Sequence, residues 1–255
     1  MAGSEIETGE ARRAAAGGAE KRAYVQGIFS DIAPRYDLAN HLLSFNIDRA
    51  WRRRAIRELG WERRPRGVYL DLCAGTLDVA AELARRPGFA GTVVGADFAE
   101  PMLRAGAGKV GGNGDVPRAT VAPVTADALQ LPLGDASMAG AVVAFGIRNL
   151  ADLDAGLCEV HRVLEPGGRF VILEFTTPRS RVVRAGYHLY FHHVLPRVGR
   201  AITGHPTAYR YLPESVASFP IEEALAERMT RAGFAKVRWR TLTMGIAAVH
   251  VGEKA

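Results

Sequence analysis

From Gly67 to the C-terminus, short apolar runs alternate with stretches in which apolar residues recur every three or four positions. The runs predict strands near 67–72, 92–97, 119–125, 139–145 and 168–175. The periodic stretches predict helices near 78–86, 99–109, 152–164 and 221–232. Such alternation argues an α/β fold with a mostly parallel sheet. The turn Glu165-Pro166-Gly167-Gly168 stops one helix and opens the strand FVILEF. Two further β-like runs, 235–243 and 245–251, close the chain around Met244-Gly245. Parallel neighbours need a long crossover, so a pair joined this tightly cannot both be parallel. The last of seven strands is therefore expected to run antiparallel.

Two segments break the alternation. Residues 21–62 read as helices; from Ile47 to Leu59, the residues Ile47, Trp51, Ala55 and Leu59 recur at i+4 and form one apolar face. Arg49, Arg52, Arg53 and Arg57 lie on the others. Such a helix docks on a core and leaves its arginines to solvent, with a membrane-surface helix as the alternative. Residues 176–220 form the second interruption. There Val183, Tyr187, Tyr190, Phe191 and Val194 make a helical stripe, which reads as core or partner surface. Lying after the fifth strand, beside the strand carboxyl ends, the insertion suits a substrate cap. His188 and His192 stand at i,i+4, but no third ligand or H-E-x-x-H pattern accompanies them, so no metal is expected. Residues 1–20 are polar and glycine-rich without a signal-peptide core and read as a disordered tail. The expected organisation is a tail at 1–20, a helical lid at 21–62, and a main domain at 63–255 carrying the 176–220 insertion.

The chemistry gathers at VYLDLCAGTLDVA and VVGADFAEPML. An apolar run ends in Asp71 and passes through a small-residue loop into a helix; a second run ends in Asp97. An open α/β sheet builds a nucleotide crevice in that order, with the second acid on a ribose diol. Gly75 and Asp97 are 22 positions apart, against about 20 in the dinucleotide version. The loop has one glycine rather than G-x-G-x-x-G, and none of the four lysines follows a tyrosine by four residues. An acid ending strand one suits the ammonium group of S-adenosylmethionine, which nicotinamide cofactors lack. Asp127 follows the next β-like run and could accept from an adenine amino group. The expected cofactor is S-adenosylmethionine.

Composition adds little. The two cysteines, Cys73 and Cys158, offer no disulfide framework, which points to a reducing cytoplasm. The longest apolar run, Met138–Ile147, is far short of the ~20 residues that span a bilayer. Net charge is +6, with four lysines among 33 basic residues. That charge favours anionic partners but also follows from an arginine-rich composition.

Taken together, the segments resemble the quinone-ring C-methyltransferases that convert demethylmenaquinol to menaquinol and, in some members, act on the ubiquinone precursor. The likeness runs from about Tyr24 to the C-terminus through IFSDIAPRYDLANHLLSF, LDLCAGTLDVA, VAFGIRNLADLDAGL, RVLEPGGRFVILEFTTP, HHVLPRVG, AYRYLPES and AGFAKVRWRTLTMGIAAVH. The resemblance implies a Rossmann-like class I methyltransferase with a seven-stranded sheet, N-terminal helical lid and inserted cap. It implies that Thr76, Asp97 and the Asp127-Ala128 pair contact the cofactor, joined by Asp71, Gly75 and the lid residue Tyr36. Asp97 as a helix N-cap and Asp127 as a turn carboxylate remain the structural alternatives. Arg148 and Asn149 of FGIRN are the expected catalytic pair. The guanidinium would lower a phenol pKa and the amide would donate to the developing oxyanion, with an ion-pair role for Arg148 as the alternative. Tyr209, Arg210 and Tyr211 are expected at the quinone head, with His193 as a fallback proton acceptor. A prenylated substrate implies peripheral contact with the inner face of the membrane; a homodimer is open, and no nucleic-acid partner is expected.

The chain departs from the family pattern twice. Leu77 stands where GTGD would have its second glycine, and Ala144 where a serine usually precedes FGIRN. The first helical turn is expected to start at Leu77 and accommodate it; a left-handed conformation there would instead cost roughly 1–2 kcal/mol. A missing serine removes at most one hydrogen bond, worth about 0.5–1.5 kcal/mol. The competing classes are a non-catalytic scaffold of the same pathway and a methyltransferase acting on another phenol or on nucleic acid.

Overall fold

Successive residues of a strand face opposite sides of its sheet, and here both sides are buried. In β1 (Val68–Leu72), Tyr69 joins one apolar cluster and Leu70 the other. β4 (Met138–Ala144) divides the same way, Val142 to the first cluster and Val143 to the second. The computed structural model describes residues 19–110, 119–203 and 208–255. Most of the expected N-terminal tail falls outside them.

With β2 (Thr92–Asp97), β3 (Thr120–Thr125), β5 (Leu164–Phe175), β6 (Phe234–Leu242) and β7 (Ala247–Lys254), the sheet has seven strands in the order β3-β2-β1-β4-β5-β7-β6. β1 to β5 pair in parallel, and β7 is antiparallel to both β5 and β6. The reversed last strand follows from the short connection at Thr243–Gly245. β5 starts earlier than the sequence predicts. Leu164 pairs with Met138 and Arg169 with Gly140, so the Pro166-Gly167-Gly168 turn is an irregularity inside the strand.

Helices α1 (Ala19–Ile32), α2 (Tyr36–Leu43) and α3 (Ile47–Leu59) precede the sheet. α3 docks Trp51, Ala55, Ile56 and Leu59 into the first cluster, but Arg52 is buried with them rather than solvated. α4 (Asp78–Ala84) and α5 (Glu100–Gly106) follow β1 and β2. Gly106 is required by proximity, because a Cβ there would collide with the Thr76 backbone. α6 (Leu153–Val163) covers the second face, and its N-cap Asp152 accepts from Ala155 N at 3.0 Å. The 176–220 insertion is helical. α7 (Arg181–Leu189), a π-helical turn (Tyr190–Val194), α8 (Leu195–Thr203) and α9 (Ala208–Ala217) lead into α10 (Glu222–Arg231). α1 packs on this insertion through Val25, Ile28 and Ile32 against Leu195 and Tyr211.

Candidate active site

The loop between β1 and α4 is built from left-handed residues: Cys73 at φ +52°, Gly75 at +51° and Leu77 at +62°. Leu77 is the N-cap of α4, and the helix starts one residue later. The expectation of a helical Leu77 is thus corrected. What makes room for it is Gly95 on β2, where a Cβ would overlap a Leu77 methyl; the leucine is fully buried in the first cluster.

Asp97 ends β2 beneath this loop. One carboxylate oxygen accepts from Gly75 N and the other from Ala99 N, each at 2.8 Å. Burial raises its pKa against these backbone donors. Two adjoining hollows of about 30 and 40 Å³ open over it. Asp127 and Ala128 line the first; Gly75, Ala144 and Tyr36 line the second; Cys73, Asp97, Phe98, Asn149 and Leu150 line both. Gly146 completes the wall, since a Cβ there would collide with Cys73. Asp127 pairs with Arg22 of α1 at 2.7 Å and accepts from Leu129 N at 3.0 Å. Asn149, expected at the ring oxyanion, faces this crevice instead, and its Oδ1 is buried without a partner among the described residues. An unpaired acceptor beside the Asp97 carboxylate fits a ligand rich in N–H and O–H donors, as the ammonium and ribose of S-adenosylmethionine are.

Asp71 and Thr76 do not reach this crevice. Asp71 lies 1% exposed below the loop, accepting from Ala80 N at 2.9 Å, and burial raises its pKa to about 7. The Thr76 hydroxyl donates to Asp37 of α2 and accepts from Lys109 at 3.0 Å. Lys109 also bridges Asp37 and Asp78, tying α2 to the loop.

A second, larger space lies between the N-terminal helices and the insertion: an apolar chamber of about 320 Å³. Phe29, Tyr36 and Phe145 line both this chamber and the crevice, forming a partition between them. Trp51, Phe175, Tyr187, Phe191 and Tyr211 supply aromatic walls, and Arg148 lies among them. Arg148 Nη1 donates to Glu174 Oε1 at 2.7 Å and to the Phe145 carbonyl at 2.5 Å, and its Nε donates to Ser215 Oγ at 3.3 Å. The Arg148–Glu174 pair is almost wholly buried, so the ion-pair role weighed for Arg148 is present. On another wall Asp48 accepts from Ser44 Oγ at 2.6 Å and from Arg52, with His41 Nδ1 at 2.9 Å. Burial opposes ionisation of Asp48, but Arg52, Ser44 and His41 outweigh it and hold the pKa down.

Of the residues expected at the quinone head, Tyr211 is buried and lines the chamber. Tyr209 and Arg210 share its helix, and their side chains fall outside the described residues. His193 is exposed on the π-helical turn, away from the chamber wall. Glu174, Asp48 and Tyr187 were not picked out as site residues. Glu174 carried a readable signal, since it is an acid near the end of an apolar run, as Asp71 and Asp97 are.

The sequence model of the ubiE/COQ5 methyltransferase family matches residues 18–254. A demethylmenaquinone methyltransferase of Thermus thermophilus is 49% identical over 228 residues, covering 89% of this chain and 100% of that one. A ubiquinone/menaquinone biosynthesis C-methyltransferase of Geobacter sulfurreducens is 44% identical, covering 92% and 90%. Among solved structures, a SAM-dependent methyltransferase of Thermotoga maritima superposes with a TM-score of 0.60 at 18% identity, covering 90% and 99%. Phosphoethanolamine N-methyltransferase 2 of Haemonchus contortus, solved with S-adenosylmethionine, gives 0.53 at 15%, covering 74% and 49%. The structural likenesses speak for the fold.

Proposed function

The chain belongs to the ubiE/COQ5 methyltransferase family, and from that premise we propose that it methylates a ring carbon of a prenylated hydroquinone with S-adenosylmethionine. Demethylmenaquinol is the substrate class its relatives' names suggest, with the ubiquinone precursor as a second. The observation that carries this reading is the pairing of a donor-seeking crevice with an apolar, aromatic chamber across one partition.

S-adenosylmethionine supplies an electrophilic methyl group on a sulfonium. Asp97 would hold its ribose, the Asp127-Ala128 segment its adenine, and Asn149 Oδ1 would accept from its ammonium. Gly75 and Tyr36 complete the walls. The partition of Phe29, Tyr36 and Phe145 excludes water and must yield enough to bring methyl and ring carbon within about 3–3.5 Å. A phenol titrates near 10 in water, and the ring carbon beside it becomes strongly nucleophilic once that proton leaves to solvent. After methyl transfer the same carbon gives up its own proton to solvent and the ring is aromatic again. Arg148 serves as a donor to the ring oxygen and not as its base, since a guanidinium offers N–H donors and no acceptor. Glu174 fixes the guanidinium in that orientation.

The prenyl tail needs a way out. Phe45 lines the chamber and is 75% exposed, so the chamber reaches the surface there. Leu42 precedes it on α2, Met244 follows the lining residue Thr243, and Val182 precedes Val183; all three are exposed. The Trp51 indole donates to Thr243 Oγ1 at 2.9 Å and Tyr190 OH to the Leu43 carbonyl at 2.6 Å, which draws these segments together. Among the described residues no helix is long and apolar enough to cross a membrane. Contact with a bilayer through this rim is the reading that fits a tail left in lipid, and flotation with anionic vesicles should be lost in Phe45→Asp.

The direct test is anaerobic incubation with methyl-labelled S-adenosylmethionine and chemically reduced short-tail demethylmenaquinone, read by mass spectrometry. A ring-methylated product is expected, and Arg148→Ala should lose turnover while keeping cofactor binding. No product, with cofactor binding verified in the same sample, would turn the reading toward a scaffold or another phenol.

A further inference from the structure

Two hydroxyls in the chamber lack a hydrogen-bond partner among the described residues. Tyr187 on α7 and Tyr211 on α9 are 8% and 3% exposed and line the chamber. Buried polar groups are nearly always paired, and an exception asks for an explanation. Neither ring is loosely held. Tyr187 stacks on Phe191 with centroids 4.0 Å apart, and Tyr211 meets Tyr24 edge-on at 5.8 Å.

Both phenols sense the same buried pair. Burial raises Tyr211 to about 12 and Tyr187 higher still, opposed in each case by Arg148 and assisted by Glu174. Both therefore stay protonated at neutral pH, in the neighbourhood of the guanidinium assigned to the ring oxygen. The chamber is otherwise mostly apolar, which suits an apolar ligand carrying a few polar atoms.

We propose that Tyr187 and Tyr211 are the positioning groups that hold the ring oxygens of the substrate, and that they hold the oxidised quinone as well as the quinol. This rests on the function proposed above. A protonated hydroxyl both donates and accepts, so it can pair with a phenol or a carbonyl. A carboxylate would accept only and would reject the quinone. The oxidised ring lacks the electron-rich carbon that attacks the methyl group, so it occupies the chamber without reacting and competes with the quinol.

The test uses the oxidised short-tail demethylmenaquinone as probe, since its binding does not depend on turnover. Trp51 lines the chamber, so quenching of its fluorescence reports occupancy. The wild type should bind the oxidised ring, and Tyr187→Phe and Tyr211→Phe should each weaken it about 3- to 10-fold, one net hydrogen bond. Cofactor affinity should stay unchanged and Tm should not fall, because neither hydroxyl has a partner among the described residues. Unchanged ring affinity in both variants would overturn the proposal. So would a parallel fall of ring affinity, cofactor affinity and Tm, which marks a structural role. A wild type that binds only the reduced ring would overturn the quinone half alone, and one that binds neither form would overturn the functional reading itself.

Discussion

The crevice and the chamber meet at one partition but are made by different means. The crevice is formed mostly at the ends of β1, β2 and β4, where backbone amides and left-handed loop residues set positions within a few bonds of the strands. The chamber is assembled from the N-terminal helices and those of the 176–220 insertion, with lining residues from Ile28 to Ile246. A site at strand ends is encoded in contiguous motifs. A site between helices is encoded in faces, and the sequence shows a face without showing what it will meet.

The segment Phe145–Asn149 serves both sites, with Arg148 on the chamber and Asn149 on the crevice, so disturbing its anchor should give the largest effect. Glu174→Ala leaves Arg148 buried without its carboxylate. Loss of one partner of such a pair costs about 3–5 kcal/mol, a fall in Tm on the order of 10 °C for a chain of this size. The double variant Arg148→Ala/Glu174→Ala should lose less than the two single losses added. An unchanged Tm in Glu174→Ala would mean that the pair does not hold the segment.

Asp71, below the loop that frames the crevice, makes stability depend on pH. Its buried carboxyl titrates near 7, against about 4 when unfolded. Between those values the folded state binds the extra proton, so this group's contribution to stability falls as pH rises through the window. Asp71→Asn keeps an acceptor for the Ala80 amide, should flatten the dependence of Tm on pH from about 4 to 7, and should gain most over the wild type near pH 8. A wild-type slope that survives the substitution would assign it elsewhere.

Leu77→Gly should have the smallest effect. The change relieves about 1–2 kcal/mol of left-handed strain but gives up a buried leucine, which costs about 2–5 kcal/mol. A Tm only a few degrees lower, with cofactor affinity within about threefold of wild type, is expected. A gain in Tm would mean that the fit over Gly95 contributes nothing.

How much of this was legible follows the same division. The strand positions and the place of Asp97 follow from apolar runs and the acids that end them, and the reversed last strand from the tight connection at Met244-Gly245. Leu77 was misread because the room made by Gly95 lies on a different strand, 18 positions away. The motif offers Asn149 as a donor to the ring oxyanion beside Arg148, whereas the short 3-10 turn at Ile147–Asn149 sends the two side chains apart. Tyr187 was visible only as one ring in an apolar stripe. Nothing in the stripe says that its hydroxyl would be buried without a partner among the described residues, facing a chamber that also holds Arg148.

The central claim is that the two spaces bind two ligands separately, and one set of titrations tests it. S-adenosylmethionine and oxidised short-tail demethylmenaquinone would be titrated into the wild type, Asp97→Ala and Gly186→Phe. Gly186 lines the chamber, and a Cβ there meets nothing within 4 Å, so the wall accepts a phenyl group without a backbone clash. The account predicts that Asp97→Ala loses the cofactor by about 100-fold, as expected for hydrogen bonds to a charged group, and keeps the ring. Gly186→Phe should do the reverse. Loss of both ligands together in either variant, or a ring that binds Gly186→Phe as well as wild type, would contradict it.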